Sequence, residues 1–288
     1  LSWNWTLTTD DRQVVFGDDD ALVVVDGWSV TSGKLRVDDH ENPRGDGLRF
    51  GQDYRAGQVV DFSMWVNGGD EETARAGLAS LQAAWRNDVS RRRGGSMCRL
   101  EHPRGRATFG RPRGFSADTQ RIEQGWLTIK ADFEAVDDLW YGPEEVTTIR
   151  FVPVFTGGLP VPAEVPFVLG GGSGESAYAV TVGGDVASAP VFELRGPILD
   201  PFIEVVGVGR LVFRGQLAYD QTLTVDTRHW ARWVKRDGAA FPGALSPAGA
   251  RLSDMSLLPG SYQVFFGGYD PTGTSSLDVR VSPAFTSF

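Results

Sequence analysis

The chain reads as a mainly β protein: an N-terminal β-sandwich-like half with one α-helix and a β-hairpin arm, followed by an antiparallel β-sandwich. Three observations predict this. Apolar residues alternate with period two along most of the length. Gly (36) and Pro (16) interrupt that alternation at short intervals, as in turn-rich β proteins. A helical stripe appears only around residues 70–87. The 288 residues allow two domains, placed at 1–142 and 176–288 with a connecting segment at 143–175.

Residues 1–9 alternate, with Trp3, Trp5 and Leu7 on one side and Ser2, Asn4, Thr6 and Thr8 on the other, which predicts a half-buried strand. Val14–Phe16 and Ala21–Val25 follow as strands around the acidic turn Asp18-Asp19-Asp20. Across residues 26–58 the apolar residues thin out to Val30, Leu35, Val37, Leu48 and Phe50 among Gly, Asp and Arg. Strands there have little core to bury, so the segment suits an arm laid on a neighbour. Val59–Val66 returns to core composition.

The helix is expected from Asp70, a natural N-cap followed by Glu71 and Glu72 at the positive end of the macrodipole. Ala74, Leu78, Leu81 and Trp85 then form one apolar stripe. Arg91-Arg92-Arg93 reads as a basic, partner-facing loop. Strands are expected at 96–100, at 107–109 and over Trp126–Val136, where the apolar face alternates cleanly. Asp137-Asp138-Leu139-Trp140-Tyr141-Gly142-Pro143 marks the junction of the halves. Beyond it, Phe151–Phe155 reads as a strand. Gly157, Gly158, Pro160, Pro162, Pro166 and Gly170–Gly172 then read as a connector. Strands follow at 177–183, 190–195, 202–206, 210–217, 221–227, 230–236, 261–267 and 277–282, and 251–258 reads as a strand or a short helical turn. This close spacing predicts the sandwich.

Charge and motifs exclude more than they assign. A net charge of −9 argues against general nucleic-acid binding. No apolar run is long enough for membrane insertion. Cys98 is the single cysteine, so no intrachain disulfide forms, and it reads as a buried, inert thiol. His40, His102 and His229 lie far apart in sequence, with no metal-ligand spacing. No nucleophile motif or phosphate loop appears, so no catalytic residue, metal site or cofactor is expected. Asp18–Asp20 reads as a solvated turn and Arg44-Gly45-Asp46 as a plain turn. His40-Glu41-Asn42-Pro43-Arg44 matches the H-x-N-P-R string of galectin sugar sites but lies outside the expected sandwich. Trp230 and Trp233 are candidate glycan contacts. In a strand their spacing sends them to opposite faces, one into the core and one to the rim.

Several phrases together resemble the distal tail proteins (minor tail proteins) of long-tailed siphoviruses, of the type found in phages of actinobacteria. They are the helix Asp70–Asn87, the stretch Gly45-Asp46-Gly47 to Gly51-Gln52-Asp53, and the junction Asp138-Leu139-Trp140-Tyr141. In the second half they are Ala189-Pro190-Val191-Phe192-Glu193-Leu194-Arg195-Gly196, Leu223-Thr224-Val225-Asp226-Thr227 and Leu258-Pro259-Gly260-Ser261-Tyr262. The resemblance implies a non-enzymatic structural protein of the virion, at the distal end of the tail. It implies a homo-hexameric ring in which a hairpin belt, assigned to 33–58 with Leu35, Val37, Leu48 and Phe50 as contacts, embraces the next subunit. The sandwich would be galectin-like and project outward. The tail-tube protein and the tail-tip or baseplate hub would be partners. The alternative is a carbohydrate-binding module that recognises host cell-wall glycan. A third reading, a cell-wall hydrolase, lacks any visible catalytic set.

Overall fold

The computed structural model describes residues 3–18, 21–153 and 173–288. The fold is mainly β with antiparallel sheets, and the chain divides into two compact units. One comprises Leu1–Tyr141 with Phe285–Phe288, the other Gly142–Ala284.

The first unit contains β1 (Trp5–Thr8), β2 (Gln13–Phe16), β3 (Val23–Thr31), β4 (Leu35–Arg36), β5 (His40–Glu41), β6 (Leu48–Arg49), β7 (Tyr54–Arg55), β8 (Val59–Asn67), β9 (Cys98–Glu101), β10 (Ala107–Asp118), β11 (Trp126–Ala135) and β12 (Trp140–Tyr141). Its main sheet runs β2-β1-β9-β10-β11-β8-β3. The sheet curls until Gly17, just past β2, meets Val24 of β3 in a parallel bridge. Trp5, Phe16, Phe62, Met64, Leu100, Leu127 and Phe133 fill the interior. β11 shows the expected period two, with Leu127, Ile129, Ala131, Phe133 and Ala135 buried and the alternate residues more exposed.

Helix α1 spans Glu71–Arg86, and Asp70 caps it by accepting from the Thr73 N–H at 2.8 Å. That hydrogen bond, followed by one from the Thr73 hydroxyl, holds the Asp70 carboxyl below its usual range. Ala74, Leu81, Ala84 and Trp85 are buried against the sheet, with Leu78 packed partly against the same core. Asn87 ends the helix in the left-handed conformation and begins a second helix, α2 (Asp88–Arg92). Thus Arg91 and Arg92 are helical rather than in a loop, and Arg93 is the C-cap. The Asn87 side chain supplies the turn the sequence hid: its carbonyl accepts from Ser90 N–H, and its amide donates to Cys98 Sγ at 2.8 Å. Cys98 is buried, and burial raises its thiol pKa.

The second unit holds β13 (Glu145–Arg150), β14 (Ser173–Val182), β15 (Val191–Arg195), β16 (Ile198–Val205), β17 (Gly209–Val212), β18 (Gln216–Leu217), β19 (Thr222–Asp226), β20 (Trp233–Arg236), β21 (Ala239–Ala240), β22 (Gly260–Tyr269) and β23 (Ser276–Val281). A six-stranded sheet, β13-β23-β15-β19-β20-β21, and a five-stranded sheet built on β14-β22-β16-β17 form the unit. Phe192, Leu194, Ile203, Leu211, Val225, Phe266 and Leu277 belong to its core.

The differences from expectation have local causes. β10 continues past Phe109 to Asp118 because a bulge between Pro112 and Phe115 absorbs the Arg-Pro-Arg-Gly break. β13 lies within the stretch read as a connector; it pairs with β23 while burying only Ile149, so its sequence looks polar. The stretch 210–217 is two strands, and 251–258 contains a 3-10 turn at Leu252–Asp254. Phe151–Pro153 lies outside any strand, while residues 154 and 155, the Gly170–Gly172 run and Asp19-Asp20 lie outside the described residues. Trp230 stands in a turn and not in a strand. It and Trp233 are both half-buried, so neither is core.

Candidate functional site

The first unit projects a hairpin. β3 and β8 pair antiparallel up to Thr31 opposite Val59. The chain between them continues outward as two further ladders, Leu35 opposite Arg55 and then His40 opposite Arg49. The tip turns at residues 42–47, where the Asn42 N–H donates to the Gly47 carbonyl at 3.0 Å and Gly47 adopts φ 103°. Both the H-x-N-P-R string and Arg44-Gly45-Asp46 lie at this end.

Among the described residues no core supports the arm beyond its root. Leu35, Val37, Leu48, Phe50 and Tyr54 are between 47% and 85% exposed, Phe50 most of all. Each ladder is two residues long, and isolated short hairpins are marginal in water.

The root, by contrast, is clamped. Gln58 is buried; its N–H donates to the Asp137 carbonyl at 3.0 Å and its carbonyl accepts from Ala135 N–H at 2.8 Å. Gln58 Nε2 reaches the Leu139 carbonyl at 3.4 Å. Arg55 pairs with Asp138 at 3.0 Å. The buried Asp137 carboxylate accepts from the Tyr141 hydroxyl at 2.5 Å and from Leu139 N–H at 3.1 Å, fixing the strip that receives the root. Sequence reading marked residues 137–143 as a junction without seeing this role. Neither Gln58 nor Gly57 carried a signal, because their partners lie some 80 positions away.

Two sheet edges are open in the same unit. Among the described residues β3 meets another strand on its outer side only where Gly17 touches Val24. β10 pairs with β9 only as far as Gly110, so Phe115–Asp118 has β11 on one side and no strand on the other among the described residues. The bared strands present backbone donors and acceptors that favour pairing with another chain.

The remaining candidates do not converge. Arg91 pairs with Asp88 at 2.9 Å, while Arg92 and Arg93 form no ion pair among the described residues. In the second unit the Arg228 guanidinium lies over Trp230 and the Lys235 ammonium over Trp233. His40 is on the arm, His102 is buried and His229 is exposed. Among the described residues no group of three or more His, Cys, Asp or Glu side chains is placed to hold a metal, and no helix is long and apolar enough to cross a membrane.

The fold of this chain is similar to that of solved phage proteins. The chain shares it with the Dit protein of phage SPP1, described as a paradigm of the hub adsorption apparatus in phages infecting Gram-positive bacteria; the TM-score is 0.58 at 14% identity, over 98% of this chain and 99% of that one. It shares it also with chains of the phage P2 baseplate in its activated conformation, with Ca (TM-score 0.56) and with Sr (0.57), each at 10% identity over 96% of this chain and 97% of the other. No family model and no curated protein matches the sequence.

Proposed function

We propose that this chain is a non-enzymatic distal tail protein of a long-tailed phage, which assembles head to tail into a homo-hexameric ring. The ring joins the tail tube to the tail-tip or baseplate hub and serves as an attachment platform. The observation that carries the reading is the arm, a directed hairpin with a fixed root and an apolar surface that the described residues leave uncovered. The shared fold supports it.

Five partly exposed apolar side chains that become buried contribute roughly 1 kcal/mol each, so one arm adds about 5 kcal/mol per contact. Arm and receiving surface are different parts of one chain, so the contact is heterologous and a closing rotation yields a ring. The open edges of β3 and β10 give such neighbours a second means of joining, by strand pairing.

Light scattering and negative-stain microscopy test the proposal. Wild type at tens of micromolar should run as six chains and image as rings. A Leu48→Asp/Phe50→Asp variant should remain folded and run as one chain. A wild type that stays monomeric at that concentration defeats the reading.

A further inference from the structure

From Thr227 to Arg236 the sequence holds Arg228, His229, Trp230, Arg232, Trp233, Lys235 and Arg236 and no acidic residue, in a chain of net charge −9. Another stretch without acids, Arg106–Arg113, spends its guanidinium groups internally. Arg106 donates to the Ser287 carbonyl at 2.6 Å, Arg111 to the carbonyls of Ser96 and Arg93, and Arg113 pairs with Glu134 at 2.7 Å. At the β19–β20 rim Arg228 is neutralised by Asp226 at 2.5 Å.

Arg232, Lys235 and Arg236 form no ion pair among the described residues. Arg232 is held in the left-handed region at φ 45°. Lys235 sits 3.9 Å from the Trp233 ring centroid, and Arg236 sits 4.1 Å from that of Phe241. Stacking on a ring orients a cation without cancelling its charge, and leaves the guanidinium edge free to donate. The register aims Trp233 and Lys235 at the outer face: they oppose Asp226 and Thr224, while Val234 opposes Val225 in the core.

We infer that this rim binds an anionic carbohydrate or polyol polymer, one that bears phosphate or carboxylate groups along its chain. From Trp233 to Arg236 the strand covers roughly 10 Å, with Arg232 at the turn before it and Arg236 at its far end opposite Leu223. One small anion cannot span that distance, but a chain charged at each unit can. A neutral glycan would need open indole faces, yet Trp230 and Trp233 each carry a cation on one face. A nucleic acid would need stacking surfaces too, and meets a strongly negative protein. The site lies within the second unit and does not depend on ring assembly.

Calorimetric titration of the full chain tests this with four probes: a poly(glycerol phosphate) oligomer, a polygalacturonate oligomer, a neutral chitin oligomer and single-stranded oligo-dT. Binding of either anionic oligomer, weakened by salt, supports the site, and the one preferred tells phosphate from carboxylate. Arg232→Gln with Lys235→Gln should weaken it about tenfold at unchanged melting temperature, and Lys235→Arg should preserve it. Three results overturn the inference: no binding of either anionic oligomer, equal or tighter binding of chitin or oligo-dT, or an unchanged affinity in the folded double variant.

Discussion

Replacing Trp85 with Ala tests whether α1 is an integral part of the first core. The indole is 3% exposed, and its Nε1–H donates to the Asp132 carbonyl of β11 at 3.0 Å. Its ring meets Phe16 at 5.8 Å, Phe62 at 6.2 Å and Phe115 at 6.3 Å between centroids, so strands from separate parts of the sheet close on it. Truncating a buried Trp costs about 3–5 kcal/mol, and leaving the Asp132 carbonyl without its donor adds about 1. We therefore expect a loss of about 4–6 kcal/mol. With a slope of roughly 4 kcal/mol/M, the guanidinium midpoint of the first unit falls by about 1–1.5 M. Hydrogen exchange read by mass spectrometry follows the two units separately. Strands β8 and β11 should lose protection, while β15, β19 and β23, which belong to the other core, keep theirs. Trp85→Phe, which loses the hydrogen bond but keeps a ring, should cost about half as much. A midpoint shift below about 0.25 M for Trp85→Ala would refute the docking of the helix through this residue.

Two further perturbations probe the same unit. His102 is buried between Trp5 and Trp140, with Trp3, Trp28 and Phe288 also in contact; its Nδ1 accepts from Arg104 N–H at 3.1 Å. Burial first, and the Arg104 charge second, lower its pKa from 6.5 to about 4. The unfolded chain thus takes up a proton below pH 6.5 that the folded chain refuses until about pH 4. Stability is intact above pH 6.5 and declines as pH falls towards 4, by up to about 3 kcal/mol. His102→Phe should flatten that part of the stability–pH curve; an unaltered slope would show that His102 does not control it. At Gly57, an added Cβ would stand 1.8 Å from the Ala135 carbonyl oxygen. Gly57→Ala should cost about 2–3 kcal/mol and disturb the arm root. A melting temperature within about 1 °C of wild type would count against that close approach.

Where burial follows a simple period, the sequence was legible. α1 could be read because Ala74, Leu78, Leu81 and Trp85 recur at helical spacing, and β11 because every second residue enters the core. Legibility failed where pairing, rather than burial, makes the structure. β13 is a strand because β23 lies beside it, and its exposed residues carry no alternation. β10 hides its second half behind a bulge. Trp230 and Trp233 looked like neighbours on one strand, but the chain turns sharply at Arg232, where φ is 45°. The arm was visible as a scarcity of core residues. Its clamp was not, since Gln58 with Leu139 and Arg55 with Asp138 are meetings that only the fold arranges.

That division within the arm bears on how copies could join. The buried Gln58, the Asp137–Tyr141 hydrogen bond and the tight passage at Gly57 fix where the hairpin leaves the unit. From Leu35 to Tyr54 nothing of comparable strength acts, and the apolar side chains face water. A projecting element with a fixed root loses less freedom on docking than one that is loose throughout, so more of the contact energy appears as affinity. The exposed tip keeps that energy unspent in the single chain. A root substitution and a tip substitution should therefore fail differently. The first loosens the unit and misdirects the arm, whereas the second leaves the unit intact and removes only the contact. Asp137 and its neighbours thus belong to the assembly surface as much as Phe50 does, although they would touch no other chain.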